Sequence, residues 1–373
     1  MGVKGYDWSG LQHDSRKDPF RLFLAFLSLL YGMGVRIRLL AYRLGIFRPR
    51  RLPAFVLSIG NLTAGGTGKT PAVEMIARWA LQQGHRPAVL SRGYGGHFKG
   101  KVLVVSDGKE VKSDPITSGD EPYFLAQRLS QIPVIISKTR YAGGLLACEE
   151  LGSDFLILDD GFQHMELKRD LDIVLLDGAS PFGNNYLLPR GPLREPVGSL
   201  KRADALILTR CGVGEKGERA RNHLSRAFPR MPVFSSSHIP SHAVFPEKEK
   251  GKRVPVRDLK GKRVLAFAGI AHPEYFRSTL EDLEMEIVAF ESFKDHHRYT
   301  PQEIRTLLER KERLHAHYLL MTGKDWVKVE KTAVVSQEMG YVDIQFKVLD
   351  REDTFFSLVH DAFEKNGALS PVT

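Results

Sequence analysis

Short apolar runs alternate with stretches of helical period along most of this chain, and glycine or proline marks many of the joins. Residues 55–59, 87–91, 132–137, 172–176 and 205–209 are unbroken apolar or near-apolar runs, the pattern of strands buried on both faces of a parallel sheet. Residues 72–83, 123–130, 141–151 and 216–228 carry helical spacing, and Gly84 and Gly152 stop two of these helices. Residues 102–105 and 110–112 flank a Ser-Asp-Gly-Lys turn and predict a hairpin. A second alternation begins after residue 260, with strands at 264–268, 287–290, 318–321 and 341–349. Its helices fall at 274–284, after a capping box at Thr300-Pro301-Gln302-Glu303, near residues 324–328 and at 355–366. Strand and helix in alternation predict an α/β fold with a mostly parallel, doubly wound sheet. A smaller second α/β domain follows it.

Residues 241–260 are charged, hold Pro246 and Pro255 and lack a strong period, so they read as a linker. The expected organisation is therefore a basic and apolar segment over 1–51, a larger α/β domain over 52–240, the linker, and a smaller C-terminal α/β domain over 261–373. Cys148 and Cys211 have no metal or redox spacing and read as buried small apolar side chains in a reducing compartment.

Charge changes the picture at the N-terminus. Residues 1–51 hold ten Lys/Arg against three acids, in a chain of 373 residues with net charge +10. A basic end calls for an anionic partner. Residues 22–35 are uncharged and strongly apolar, but a bilayer span needs roughly twenty such residues. No small-residue cleavage site follows, so a secretory signal is not expected. Phe23, Phe26, Leu27, Leu30, Tyr31 and Met33 flanked by arginines fit a helix lying in the headgroup interface of an anionic membrane; the competing reading is a buried amphipathic core helix. No RNA- or DNA-reading motif accompanies the charge, so no nucleic-acid partner is expected.

The chemistry concentrates around the strand at 55–59. It runs into Gly65-Gly66-Thr67-Gly68-Lys69-Thr70, and Pro71 suits the first turn of the helix beyond. Strand, glycine loop ending in Lys-Thr, then helix is the setting of a phosphate loop. Glycines let backbone N–H groups converge on phosphate oxygens at a helix N-terminus. Lys69 would reach the β- and γ-phosphates and Thr70 would hold Mg²⁺. Thr63 stands where the commoner pattern has glycine, so the loop follows the GGxGKT variant. Ala64 stands where that variant often carries a lysine. The strand ending in Asp159-Asp160 would bring a carboxylate to the metal. Gly161 then allows a turn that faces Gln163 and His164 into the same crevice. Tyr94, in a glycine-rich loop, could stack on a base, line a substrate groove or be a plain loop aromatic. Arg190 and Arg194 on a Pro/Gly loop could clamp a phosphate or be solvated. Ser118 and Glu121 have the spacing of a capping box, which by spacing alone makes Asp120 and Glu121 helix-capping acids. Asp295-His296-His297 reads three ways: a surface loop, a metal site short of ligands, or a crevice histidine acting as acid, base or orienting partner.

NLTAGGTGKTP, SRGYGG, GDEP, LDDGFQH, LPRGPLREP, FAGIAHPEYF, FKDHH and TGKDWVK occur in this order. Together they closely resemble the tetraacyldisaccharide 4'-kinase family, the lipid A 4'-kinases of Gram-negative bacteria, from about residue 20 to about residue 350. The resemblance implies ATP-dependent phosphorylation of the 4'-hydroxyl of an acylated disaccharide 1-phosphate, by a monomer on the cytoplasmic face of the inner membrane. It implies ATP phosphates on Thr63, Ala64, Gly65, Gly66, Thr67, Gly68, Lys69 and Thr70. Thr70, Asp160 and Gln163, with Asp159 and Glu121, would organise Mg²⁺. Asp120 becomes the base that accepts the hydroxyl proton, and His296 its partner. Arg140, Arg190 and Arg194 are further candidates for holding phosphate, and domain closure across 241–260 would exclude water. The alternative from another class is an ATPase switch that cycles on membranes. Ala64, the DDGFQH string and the second α/β domain argue against it.

Overall fold

The computed structural model describes residues 19–211, 215–245 and 252–367. The chain runs through α1 (Pro19–Arg43), β1 (Phe55–Asn61), α2 (Lys69–Gln82), β2 (Pro87–Ser91), β3 (Val102–Asp107), α3 (Pro115–Ser118), α4 (Asp120–Arg128), β4 (Pro133–Ser137) and α5 (Arg140–Glu149). It continues through β5 (Phe155–Asp159), β6 (Leu171–Asp177), β7 (Ala205–Thr209), α6 (Glu215–Ala227), β8 (Val233–Phe245) and β9 (Lys252–Pro255). Last come β10 (Arg263–Ala268), α7 (Pro273–Asp282), β11 (Glu286–Ser292), α8 (Pro301–Arg313), β12 (Tyr318–Thr322), α9 (Gly323–Val329), β13 (Met339–Val348) and α10 (Glu352–Gly367).

The chain divides into two compact units: 1–92 with 135–237 and 347–373, and 93–134 with 238–346. This differs from the contiguous division expected from sequence. The excursion at 93–134 joins the second unit. The C-terminal helix belongs to the first, because its aromatic face packs there: Phe355 meets Phe234 at 5.3 Å between ring centroids, and Phe363 meets Phe55 at 5.5 Å.

In the first unit the strand order is β8-β7-β6-β1-β5-β2-β4. β1 lies parallel between β5 and β6, with Ile59 beside Asp159 on one side and Ile173 on the other. Every residue of β1, β2 and β5 is buried, as their unbroken apolar runs require. The core beside them gathers Leu62, Phe162, Val174, Leu176, Leu193 and Leu200. β1 and β5 end together, so the glycine loop and the Asp159-Asp160 pair emerge at the same carboxyl edge of the sheet, where open α/β sheets bind ligands.

The second unit has the order β11-β10-β12-β13-β8, with β9 antiparallel to β8. The expected linker is therefore largely strand: Ala243, Phe245 and Leu259 are buried in this unit's core. Long-range pairing has no local sequence signature, which is why 241–260 read as irregular. Residues 246–251 of that segment, and residues 1–18 of the N-terminal segment, lie outside the described residues. The capping box expected at Thr300 and Glu303 forms in full: the Thr300 hydroxyl accepts from the Glu303 amide and the Glu303 carboxylate accepts from Thr300 N.

α1 is longer than the apolar run that announced it. By length and composition it could cross a membrane. One face is docked within the first unit: Ser28 Oγ donates to Leu187 O at 2.9 Å, Tyr31 Oη to Arg194 O at 2.8 Å, and Arg38 pairs with Glu195 at 2.9 Å. Phe23, Phe26, Leu29, Met33, Ile37 and Leu40 are exposed. Cys211 is buried as expected, whereas Cys148 is only half-buried, on α5.

Candidate active site

The first unit builds its glycine loop from the backbone outward. Gly65 (φ 111°) and Gly68 (φ 79°) occupy left-handed backbone that a side chain would strain. Gly68 caps α2 with no side-chain hydrogen bond, so that helix opens directly onto the loop. The loop is braced from several directions. Asn61, fully buried at the end of β1, donates through Nδ2 to Thr67 Oγ1 at 3.1 Å and Gly65 O at 3.3 Å. Ala64 N donates to Pro192 O at 2.7 Å, and Arg210 donates to Gly66 O while pairing with Asp177.

The acidic turn meets this loop. Asp159 is buried and accepts from Ser91 Oγ at 3.2 Å. Asp160 takes left-handed backbone (φ 56°), which aims its carboxylate at Lys69 Nζ, 3.4 Å away, and at Arg194 Nη1, 2.8 and 3.0 Å from its two oxygens. Burial alone would raise the Asp160 carboxyl; Lys69 and Arg194 outweigh it and hold the group below the usual range. Gln163 Nε2 donates to Asn61 O at 2.9 Å, tying the far side of the turn to the end of β1. Thr70 is buried in the first turn of α2.

Other candidates fall differently. His164 is pushed down to about 4 by burial and then by Arg140 and Arg169, so it is neutral near pH 7. Arg140 is buried and donates to Ser137 O at 2.9 Å. Burial lowers its guanidinium pKa, and the nearby Asp159 and Asp160 oppose that shift. Arg190 lies 3.6 Å from the Tyr186 ring centroid, stacked on it, while Arg194 makes the contact to Asp160.

The second unit holds Asp120, Glu121, Tyr94 and His296. The capping box expected of Ser118 and Glu121 does not form. Ser118 closes the short α3, its hydroxyl donating to Asp114 O at 2.7 Å, and Gly119 (φ 92°) starts α4 without a side-chain cap. Asp120, the first residue of α4, is thereby free to face His296, with Oδ2 3.1 Å from His296 Nδ1. His296 itself sits in left-handed backbone (φ 57°). The hydrogen bond to Asp120 raises its pKa against the opposing effect of burial. His297 turns to Glu303 at 3.1 Å, so the adjacent histidines serve different partners. Tyr94 is 77% exposed, its ring centroid 6.0 Å from that of His296. Glu121, expected among the metal donors, is ion-paired with Lys324.

Sequence reading did not single out Asn61, Arg210 or Lys328. Asn61 and Arg210 both stand at the carboxyl ends of apolar strand runs, a position that could have flagged them. Among the described residues no cluster of three or more His, Cys, Asp or Glu side chains could by itself hold a metal ion.

A parallel sheet carrying a glycine loop, its lysine and an acidic strand tip at one edge defines a phosphate-loop nucleotide-binding enzyme. The model of the family "Tetraacyldisaccharide-1-P 4'-kinase" (LpxK) matches residues 20–364. The tetraacyldisaccharide 4'-kinase of Syntrophus aciditrophicus is 42% identical over 344 residues, 89% of this chain and 91% of that protein. That of Geobacter metallireducens is 44% identical over 306 residues, 82% and 88% of the two chains. LpxK from Aquifex aeolicus, crystallised in complex with ATP, shares the fold with a TM-score of 0.73 at 33% identity, over 92% of this chain and 99% of that one. The chain belongs to the tetraacyldisaccharide-1-P 4'-kinase family.

Proposed function

We infer that this chain transfers the γ-phosphoryl group of ATP to the 4'-hydroxyl of tetraacyldisaccharide 1-phosphate, giving lipid IVA in lipid A biosynthesis. The observation that carries this reading is the family match over residues 20–364, in a chain whose glycine loop, Lys69 and Asp160 turn meet at one edge of a sheet. ATP binds with its phosphates along residues 63–70, where Lys69 balances charge on the transferring group. The acceptor oxygen attacks the γ-phosphorus, the bond to the β,γ-bridging oxygen breaks, and ADP leaves. The hydroxyl proton passes to Asp120; the 3.1 Å contact with His296 supports that role, because it orients the carboxylate. Positioning and charge neutralisation supply most of the rate in phosphoryl transfer.

The donor set at the loop suits magnesium, a hard cation that takes one or two carboxylates and substrate phosphates. Thr70 and Asp159 are a buried hydroxyl and a buried carboxylate, and with Asp160 and Gln163 they would hold the ion. When bound, it neutralises phosphate charge.

The acceptor is a lipid, and the exposed side of α1 suits a membrane interface. Its docked side spans Leu24 to Arg38, which supports a helix lying along the surface rather than crossing it. The reading is of a single chain bound peripherally to the cytoplasmic face of the inner membrane, where ATP is available. Family membership disfavours the membrane ATPase switch.

The test is transfer of label from [γ-³²P]ATP to detergent-solubilised tetraacyldisaccharide 1-phosphate, with Lys69→Ala alongside. Labelled lipid from the wild type and none from the variant is expected. ATP hydrolysis on liposomes with no labelled lipid would sink the reading in favour of the switch.

A further inference from the structure

Asp325 is fully buried near the start of α9, and four donors converge on it. Gly269 N (3.1 Å) and Thr322 Oγ1 (2.7 Å) serve Oδ2, while Tyr299 Oη (3.0 Å) and Lys328 Nζ (3.0 Å) serve Oδ1. Lys328 lies one turn further along α9. Its side chain is 7% exposed, and its ammonium is 5.4 Å from the centroid of the Tyr299 ring. The same ammonium stands 4.0 Å from Asp120 Oδ2. A lysine carries three donors, and Asp325 uses one of them.

Asp120 Oδ2 is thus approached twice, by His296 from the 293–300 loop and by Lys328 from α9. Oδ1 has no hydrogen-bond partner among the described residues. The other charges nearby are engaged: Glu121 with Lys324, and Asp295 within 4.0 Å of His296.

We propose that Lys328 is a positioning residue for Asp120: anchored by Asp325, it fixes the rotation of the Asp120 carboxylate so that Oδ1 faces the acceptor hydroxyl. This rests on the reading of Asp120 as the base. A cation whose own place is set by a saturated, buried carboxylate cannot drift as a solvated lysine would, so it can hold a neighbouring carboxylate in one orientation. A lysine present only to balance Asp325 would need no second carboxylate at ion-pair distance.

The experiment is a double-mutant cycle on the full-length enzyme, with radiolabel transfer as the readout. Lys328→Met keeps an apolar stem and removes the ammonium. It is expected to lower kcat at least tenfold, with KM for ATP and for the lipid within about threefold of wild type, the signature of a lost transition-state arrangement. In an Asp120→Asn background the same substitution should lower the residual rate no further, because its only route to the chemistry is gone. Lys328→Arg should recover part of the lost kcat. If Lys328→Met does not fold, Asp325→Asn, which keeps the shape and frees Lys328, should give the same split and the same non-additivity. A full kcat for Lys328→Met, or an equal fall in both backgrounds, would overturn the proposal and leave Asp120 as base. Wild-type turnover by Asp120→Asn would instead overturn the base itself, and the role of Lys328 with it.

Discussion

Replacing Gly60 with alanine would put a Cβ 2.4 Å from Phe162 Cβ, 2.7 Å from Phe162 N and 3.1 Å from Phe162 Cα. Carbon atoms rest at about 3.5–4.0 Å. Phe162 would therefore have to retreat by about 1 Å, and it cannot do so freely: it is fully buried among Leu62, Val174, Leu176 and Leu193. Two of the three close atoms belong to the backbone, so no rotamer change relieves the overlap. Overpacking of this kind costs about 1–3 kcal/mol, and the backbone contacts argue for the upper half. For a unit of this size that lowers the melting temperature by roughly 5–10 °C. The retreating segment also carries the site. Gly161 N donates to Ile59 O at 3.2 Å and Gln163 Nε2 to Asn61 O at 2.9 Å, and Asp160 immediately precedes the first of these tethers. A shift of about 1 Å there should lower turnover about 100-fold. Calorimetry and radiolabel transfer on the same preparation test both halves. The control is Gly66→Ala, whose Cβ meets nothing within 4 Å. It should melt as wild type yet bind ATP more weakly, since a side chain in the loop obstructs phosphate approach. If Gly60→Ala melts lower but turns over normally per folded molecule, the packing of β1 on the turn is not what fixes Asp160.

His164 should make the fold acid-sensitive. Its folded pKa of about 4 lies below the ordinary value of 6.5, so the fold keeps it neutral, and stability is lost as pH falls from about 6.5 towards 4. The loss amounts to about 2 kcal/mol by pH 5; urea melts at pH 7 and pH 5 should show His164→Gln losing less than wild type, and equal losses would contradict the assignment. His296 has the opposite sign. Its folded pKa is raised by Asp120, so the contribution of the charged pair is complete below about pH 6.5 and is lost as pH rises through the folded value. The NMR midpoint of His296 should fall in Asp120→Asn, and an unmoved midpoint would mean that the contact does not form in solution. On α1, Phe26→Ser with Leu29→Ser removes two exposed apolar side chains, each worth about 1.5–3 kcal/mol when fully buried. Flotation with anionic liposomes should weaken at least tenfold without a change in melting; unchanged flotation would remove the interfacial role of that face.

Much of the nucleotide side could be read locally. The run into Gly65-Gly66-Thr67-Gly68-Lys69-Thr70 gave β1, the loop and α2 in order, and the Asp159-Asp160 pair fell at a strand tip as its apolar run required. Thr300 and Glu303 formed the box their spacing foretold. What failed was non-local. The same spacing at Ser118 and Glu121 did not cap, because Asp114 had already captured the preceding turn, accepting from Ile116 N and Thr117 N. Residues 241–260 lacked a period because β8 and β9 take their order from pairing partners, His242 with Pro255 and Phe245 with Lys252. The two units interleave along the chain because α10 returns to the first sheet, a consequence of where Phe355 and Phe363 find aromatic partners. Asp120 illustrates the limit most clearly. Its spacing argued for a helix cap, family resemblance argued for a base, and its hydrogen-bonded partner lies 176 positions away.

The glycine loop and α1 meet at one residue of the first unit. The guanidinium of Arg194 holds Asp160, which in turn faces Lys69, while its backbone carbonyl accepts from Tyr31 on α1 and its amide donates to Leu62 O beside the glycine loop. Two residues upstream, Pro192 O receives Ala64 N from the loop itself, and Leu187 O receives Ser28 from α1. Lys69 and Arg194 are neutralised by the Asp160 carboxylate, whose own burial disfavours its charge. Under the proposed function, phosphate oxygens would offer Lys69 and Arg194 the same kind of partner, and ATP would exchange one anion for another rather than fill an unbalanced pocket. The segment that holds Asp160 is the one against which α1 is docked: under the proposed function, the helix that would meet the lipid and the loop that would meet the phosphate are hydrogen-bonded to the same short segment.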